Sequence, residues 1–272
     1  MSIVRALMIG DIVGEGGLLV LERLLPGLIA EYTADFVVVN GENAAGGFGM
    51  TEETLRRILA AGADAVTSGN HVWEKRDFWP FLESEARMLR PANYPGGTPG
   101  RGVLHTEKAG VSWAVINLQG RELMVPIDCP FRALESIVNR VTAPSGEKTI
   151  ILVDFHAESA REKEALGYFI DGRASLVAGT HTHVQTADER ILPLGSAYIT
   201  DLGMTGVSGG VIGMDSQICL DRARTQILYR MEPARPAADG GLSAVMGVAA
   251  EIDRDTGRAL SVARVFRSAA SA

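Results

Sequence analysis

Gly179-Thr180-His181-Thr182-His183 sets two imidazoles two positions apart, directly after the apolar run Ala174-Ser175-Leu176-Val177-Ala178. Such a run predicts a buried strand. If the backbone stays extended past Gly179, His181 and His183 lie on one side of it, because strand side chains alternate. Two imidazoles on one side can hold one metal ion or two neighbouring ions. A solvated loop of threonines and histidines is the competing interpretation. What decides between them is whether other strands deliver partners of the same kind.

They do. Ile3 to Ile9, apolar except for Arg5, ends in Gly10-Asp11, and Phe36-Val37-Val38-Val39 ends in Asn40-Gly41-Glu42-Asn43. Ala65-Val66-Thr67 leads into Ser68-Gly69-Asn70-His71, and Thr149 to Phe155 delivers His156. Of the 5 histidines, all but His105 follow a predicted strand. Carboxylate, carboxamide and imidazole without thiolate suit Mn²⁺, Fe or Zn²⁺ in five- or six-fold coordination. The donors exceed the needs of one ion, so two ions sharing a carboxylate is the economical arrangement. The positive charge left over after Asp11 and Glu42 suits a hydroxide and a substrate phosphate.

Helices must separate these strands. Leucines at helical spacing predict one over Leu18 to Tyr32, and Thr51 to Ala61 reads as another, with Thr51 as N-cap and acids in its first turn. Asp77 to Ser84, Phe131 to Val141 and Arg161 to Phe169 are further helices. Gly102 to Lys108 and Val111 to Leu118 form an antiparallel pair around Ala109-Gly110. Ala197-Tyr198-Ile199 is a short strand, followed by a glycine-rich loop to Gly213. Val245 to Ile252 and Leu260 to Phe266 pair around the turn at Asp253 to Gly257, and Pro233 to Gly241 is a loop. Strand–turn–helix units with polar strand ends predict an α/β layered fold whose ligands collect at the strands' carboxyl edge. Gly14, Gly16 and Gly17 miss the dinucleotide-binding spacing.

At 272 residues, with 46% hydrophobic and 22% charged residues, the chain reads as a single globular domain over 1–272. A net charge of −7 argues against a stable grip on duplex nucleic acid. Cys129 and Cys219 form neither a zinc-type spacing nor a disulfide framework. Arg5 and Asp11 come too early for a secretory segment. Glu22, Arg23 and Pro26 interrupt the richest apolar stretch well before the ~18 residues a membrane span needs. A cytoplasmic protein is expected, with no membrane contact.

Gly10-Asp11, Gly41-Glu42-Asn43, Gly69-Asn70-His71, His156 and Gly179-Thr180-His181-Thr182-His183 resemble the calcineurin-like metallophosphoesterase signature. That superfamily reads Asp-x-His, Gly-Asp-x-x-Asp, Gly-Asn-His-Asp/Glu, His and Gly-His-x-His. Here Val13 stands at the first histidine, and Glu42 replaces the bridging aspartate. Both departures match the YmdB-type phosphodiesterases of bacteria. The similarity extends through Arg90-Pro91-Ala92-Asn93, Val115 to Arg121, Thr180 to Asp188, Thr200 to Gly206 and Gly213-Met214-Asp215.

The resemblance implies a four-layer αββα sandwich of two mixed β-sheets flanked by helices, and two metal ions per chain, iron or manganese with zinc as the alternative. Asp11, Glu42, Asn43 and His183 would hold the first ion. Glu42, Asn70, His156 and His181 would hold the second. His71 would give a proton to the leaving oxygen after attack by a hydroxide bridging the ions. The implied substrates are small phosphodiesters such as 2′,3′-cyclic nucleotides. A phosphomonoesterase or protein phosphatase on the same centre, or a metal-bound regulatory scaffold with residual activity, are the alternatives. Asn93, Asn117, Gln119 and Thr205 are candidate contacts to phosphate or sugar, with turn-building as the other use of such residues. A homo-oligomer is expected.

Overall fold

The computed structural model describes residues 2–142, 148–235 and 242–270. The first sheet is built around β1 (Ile3–Ile9), which pairs in parallel with β3 (Phe36–Asn40), itself parallel to β4 (Ala65–Thr67). On its other side β1 runs antiparallel to β12 (Leu242–Asp253), whose far edge carries β13 (Ala259–Ala270). The second sheet has the order β5 (Val103–Lys108), β6 (Val111–Gln119), β7 (Thr149–His156), β8 (Leu176–Thr180), β10 (Ala197–Ile199) and β9 (Arg190–Ile191). Its four central strands are parallel, so their carboxyl ends share one edge.

Strand alternation sorts the apolar side chains into three layers. Ala6, Met8, Phe36 and Val38 of the first sheet meet Trp113, Val115, Ile150 and Leu152 of the second in one buried cluster. Leu7, Ile9, Val37 and Val39 face outward onto α1 (Gly14–Tyr32) and α2 (Glu52–Ala60) through Leu21, Leu25, Leu55 and Ile58. Ile116, Ile151 and Val153 face away from the first sheet onto α4 (Pro130–Val141) and α5 (Ala160–Ile170). The result is a four-layer αββα sandwich with two mixed sheets, as the resemblance implied.

Thr51 caps α2, accepting from the Thr54 amide at 3.3 Å. Trp79–Ser84 forms α3, while Asp77 and Phe78, expected to begin it, belong to a 3₁₀ turn over Arg76–Phe78. Helix α1 starts at Gly14, four residues before its leucine pattern, and the glycines explain why. A Cβ on Gly17 would sit 2.4 Å from Thr205 O, and one on Gly16 would sit 2.6 Å from a Val207 methyl. Their lack of side chains lets the helix lie directly on β11 (Met204–Val207).

That strand, the two-residue β9, and α6 (Ser216–Thr225) were not expected from sequence. Helix α6 buries none of its residues and so carries no apolar stripe; it is fixed by Asp215, which accepts from the Ile218 amide at 2.9 Å. Pro233 to Arg235 lies outside helix and strand as expected, and the rest of that expected loop, 236–241, falls outside the described residues.

One irregularity positions the site. β1 leaves β12 at Gly10, and after it Asp11 and Ile12 (β2) pair in parallel with β11, which slots in against β12. A Cβ at Gly10 would lie 2.1 Å from Gly203 O, so this parting of the strands requires glycine. Asp11 is thereby held at the seam, fully buried.

Candidate metal centre

Four polar atoms converge where the carboxyl ends of the two sheets meet. His156 Nε2 lies 3.1 Å from Glu42 Oε2, 3.2 Å from Asn70 Oδ1 and 3.0 Å from His181 Nδ1. The proton on His156 can be placed from its supports. Thr180 Oγ1 donates to Asp154 Oδ1 at 2.7 Å, so it accepts from His156 Nδ1–H at 3.0 Å. His156 Nε2 therefore carries a lone pair, turned toward Glu42 Oε2, Asn70 Oδ1 and His181 Nδ1. Burial keeps His156 and His181 neutral, each with a pKa near 4, so the short contact from His156 to Glu42 is not a charge pair. Burial also pushes the Glu42 carboxyl up to about 7, the charge of His71 opposing and that of Asp11 adding to it.

The second cluster is built from Asp11, Asn43 and His183. His183 Nδ1–H donates to Ile212 O at 2.8 Å, which turns Nε2 into the cluster, 3.3 Å from Asp11 Oδ2 and 3.0 Å from Asn43 Nδ2. Burial works against a charge on His183, but the Asp11 carboxylate outweighs it and holds the imidazole near 9. Asp11 itself is kept below its usual range, its burial outweighed by His183, His156 and His181.

These residues fit divalent cations. Asp11 Oδ1 and Glu42 Oε2 are buried acceptors without a hydrogen-bond partner, which is costly unless a cation satisfies them. Glu42, His156 and His181 each offer an atom within 4.8 Å of the others. Gly69 leaves the room: a Cβ there would be 1.9 Å from Glu42 Oε2 and 2.1 Å from His156 Cδ2.

The two histidines of the Gly-x-His-x-His element do not reach the site by strand alternation. β8 ends at Thr180, and His181 and His183 take φ of 102° and 63°, in the left-handed region. Each turns to a different cluster. Such strain persists only where surroundings enforce it, and here Asp201 does so, accepting from Thr182 N at 3.1 Å and Thr182 Oγ1 at 2.8 Å. Lys163, from α5, donates to the same carboxylate at 2.6 Å, both side chains being 1% exposed. Lys163→Met should lower the melting temperature by roughly 6–20 °C, since an unpartnered buried charge costs about 3–5 kcal/mol. Thermal unfolding of the two proteins side by side checks this.

His71 sits apart from the ligand clusters. Its backbone N–H donates to Glu42 Oε1 at 3.0 Å, while its ring is 28% exposed, edge-on to Phe48 and 3.1 Å from Glu74 Oε1 through Nδ1. Asn93, Asn117 and Thr205 are not brought into the clusters. Asn117 is engaged by Ser68, accepting from its N–H at 3.1 Å and donating to its carbonyl at 2.9 Å, which pins the loop carrying Asn70 and His71. Asn93 donates to Gln119 O and Asp128 O, both at 2.8 Å. Thr205 lies fully buried in β11. Sequence reasoning missed Thr180, Asp154 and Asp201, and also Glu158, whose Oε2 is 3.2 Å from His181 Nε2. Proximity to the histidines in sequence was the available signal for Thr180, Asp154 and Glu158.

A four-layer αββα sandwich with these donor types at its strand ends is the architecture of the metallophosphoesterases. The profile of the YmdB-like protein family matches residues 7–265. A 2′,3′-cyclic-nucleotide 2′-phosphodiesterase of Bacillus subtilis (strain 168) is 44% identical over 263 residues, 96% of each chain. A crystal structure described as a novel phosphatase from Mycoplasma pneumoniae superposes with a TM-score of 0.91 at 29% identity, over 100% of this chain and 95% of that one. A Thermus thermophilus structure described as a hypothetical protein gives 0.87 at 38% identity, over 97% and 99%. The chain belongs to the YmdB-like family.

Proposed function

We propose that this protein hydrolyses small phosphodiesters, 2′,3′-cyclic nucleotides among them, at a centre of two divalent cations. The observation that carries this is the convergence of Glu42, Asn70, His156 and His181 on one point, with the His156 Nε2 lone pair turned inward and Glu42 Oε2 unsatisfied, beside the second cluster of Asp11, Asn43 and His183. The activity for which the Bacillus subtilis relative is named supports the substrate class. Asp11, Glu42, Asn43 and His183 would hold one ion, Asn43 turning its amide to present Oδ1. Glu42, Asn70, His156 and His181 would hold the other. Iron and manganese suit this oxygen and nitrogen set, and zinc is compatible with it. Such ions supply positive charge to phosphoryl oxygens and lower the pKa of a water.

The chain's own part is orientation and proton transfer. Asp154, through Thr180, holds His156 with its Nε2 lone pair inward. The His71 N–H fixes Glu42 Oε1, leaving Oε2 toward the clusters. As an imidazolium, His71 keeps its Nδ1 proton on Glu74 and gives its Nε2 proton to the departing oxygen, the 2′ oxygen of a cyclic nucleotide. Both sheets contribute ligands, which supports treating the chain as one catalytic domain. The unpaired thiols Cys129 and Cys219 support a reducing, cytoplasmic location, and a homo-oligomer remains part of this reading. No helix among the described residues is long and apolar enough to cross a membrane.

The test is Mn²⁺-supplemented hydrolysis of 2′,3′-cyclic AMP beside a phosphomonoester of the same nucleoside. The diester should turn over at least about tenfold faster in kcat/KM. Preference for the monoester would make the protein a phosphomonoesterase. No turnover with two metals bound would leave a scaffold role.

A further inference from the structure

Among the buried side-chain atoms that lack a hydrogen-bond partner, Asp11 Oδ1 and Glu42 Oε2 are acceptors, whereas Gln119 Nε2 is a donor. A cation satisfies the first two and cannot satisfy the third. An amide N–H requires an oxygen.

Gln119 is placed to offer it. It ends β6 and is paired in register with His156 at the end of β7. Trp113 and Val115 of β6 and Ile150 and Leu152 of β7 all face the inter-sheet core. Gln119 and His156 continue those two rows, so they stand side by side on the same face, on strands ~4.8 Å apart. The Gln119 side chain is fully buried, and its orientation is fixed by a built support. Tyr94 Oη donates to Oε1 at 2.9 Å, which turns Nε2 away from the tyrosine. Asn93 clamps the Gln119 backbone, accepting from its N–H at 2.9 Å and donating to its carbonyl at 2.8 Å. The ring of Tyr94 meets Trp73, two residues beyond His71, at 5.3 Å. Three hydrogen bonds from one loop thus present a single unsatisfied donor beside a metal-ligand histidine.

We infer that Gln119 Nε2 donates to a non-bridging phosphoryl oxygen of the substrate, with Tyr94 and Asn93 as its positioning residues. This rests on the phosphoesterase reading above. A phosphodiester monoanion gains negative character on its non-bridging oxygens as it is attacked, and a pre-aimed neutral donor stabilises that charge. It also adds orientation without adding to the positive charge of the ions.

The experiment compares Mn²⁺-loaded wild type with Gln119→Leu, Gln119→Glu and Tyr94→Phe. It measures kcat/KM on 2′,3′-cyclic AMP, the affinity for inorganic phosphate by titration calorimetry, metal content and melting temperature. Gln119→Leu should lower kcat/KM and phosphate affinity by about 10–10²-fold. Metal content should hold, because Gln119 is outside both ligand sets, and the melting temperature should fall by no more than a few degrees, for the lost Tyr94–Oε1 bond. Gln119→Glu, which turns an acceptor toward the anion, should fall further than the leucine variant. Tyr94→Phe frees the amide to rotate and should cost about threefold to tenfold. Wild-type-like kcat/KM and phosphate affinity in Gln119→Leu, within about twofold, would overturn the inference, as would metal loss in step with activity. If the leucine variant does not fold, the glutamate and phenylalanine variants carry the same decision. Phosphate affinity is read without turnover, so an inactive wild type would count against the proposed reaction and leave the Gln119 contact to be judged separately.

Discussion

Replacing His71 with alanine is expected to lower kcat by about 10²–10⁴-fold while leaving bound metal unchanged. The separation follows from how residue 71 meets the site. Its link to Glu42 runs through the backbone N–H, which alanine keeps, and its imidazole lies outside both ligand clusters. In the proposed mechanism, what alanine removes is the Nε2 proton offered to the leaving oxygen. The deficit should shrink for an aryl phosphodiester, because a good leaving group departs without a proton. Metal analysis and kcat on the two ester types decide the matter. Metal loss in His71→Ala, or an equal deficit on both esters, would remove the proton-donor role.

Glu42→Gln carries the second large effect, in two parts. The shared carboxylate is the one residue assigned to both ions, and outer-shell partners of metal ligands already cost about 10–100-fold. Turnover should therefore fall by at least ~10²-fold, with metal content falling too. Without metal the same change should stabilise. Burial holds the folded Glu42 carboxyl at about 7, above its ordinary 4.5. The folded state then binds the extra proton, so its stability is greatest below the ordinary value and drains away as pH rises toward 7. A neutral glutamine escapes that loss, worth roughly 3 kcal/mol above pH 7. Chelator-treated Glu42→Gln should melt several degrees above chelator-treated wild type at pH 8, the gap closing toward pH 4.5. Identical melting curves across this range would show that Glu42 carries no burial penalty.

The buried strands and amphipathic helices were legible because their periodicity is written in apolar residues. β1, β3, β4 and β10 keep the residues expected of them, with Asn40 added to β3. The donors were legible too, since they follow those strands directly. What escaped was structure fixed by fit. β11 forms because Gly10 lets β1 part from β12, and its own Gly206 reads as loop. α6 depends on one capping aspartate. Alternation gave His181 and His183 a shared side, whereas the positive φ at both comes from Asp201 gripping Thr182 from a later segment. Long-range supports of that kind leave no mark in local spacing.

The seam at which Asp11 is held has a kinetic consequence. Asp11, Glu42 and Asn70 come from one sheet, and His156, His181 and His183 from the other. The Asp11–His181 contact alone closes 170 residues of chain. A complete ligand set cannot exist until the two sheets have docked, so cations have nothing to grip in the early stages of folding. Bound in the proposed way, cations would act afterwards, as a rivet between finished halves. Their stabilisation would then fall on the rate of unfolding rather than on the rate of folding. Added metal should lengthen the lifetime of the native state more than it changes the speed of reaching it.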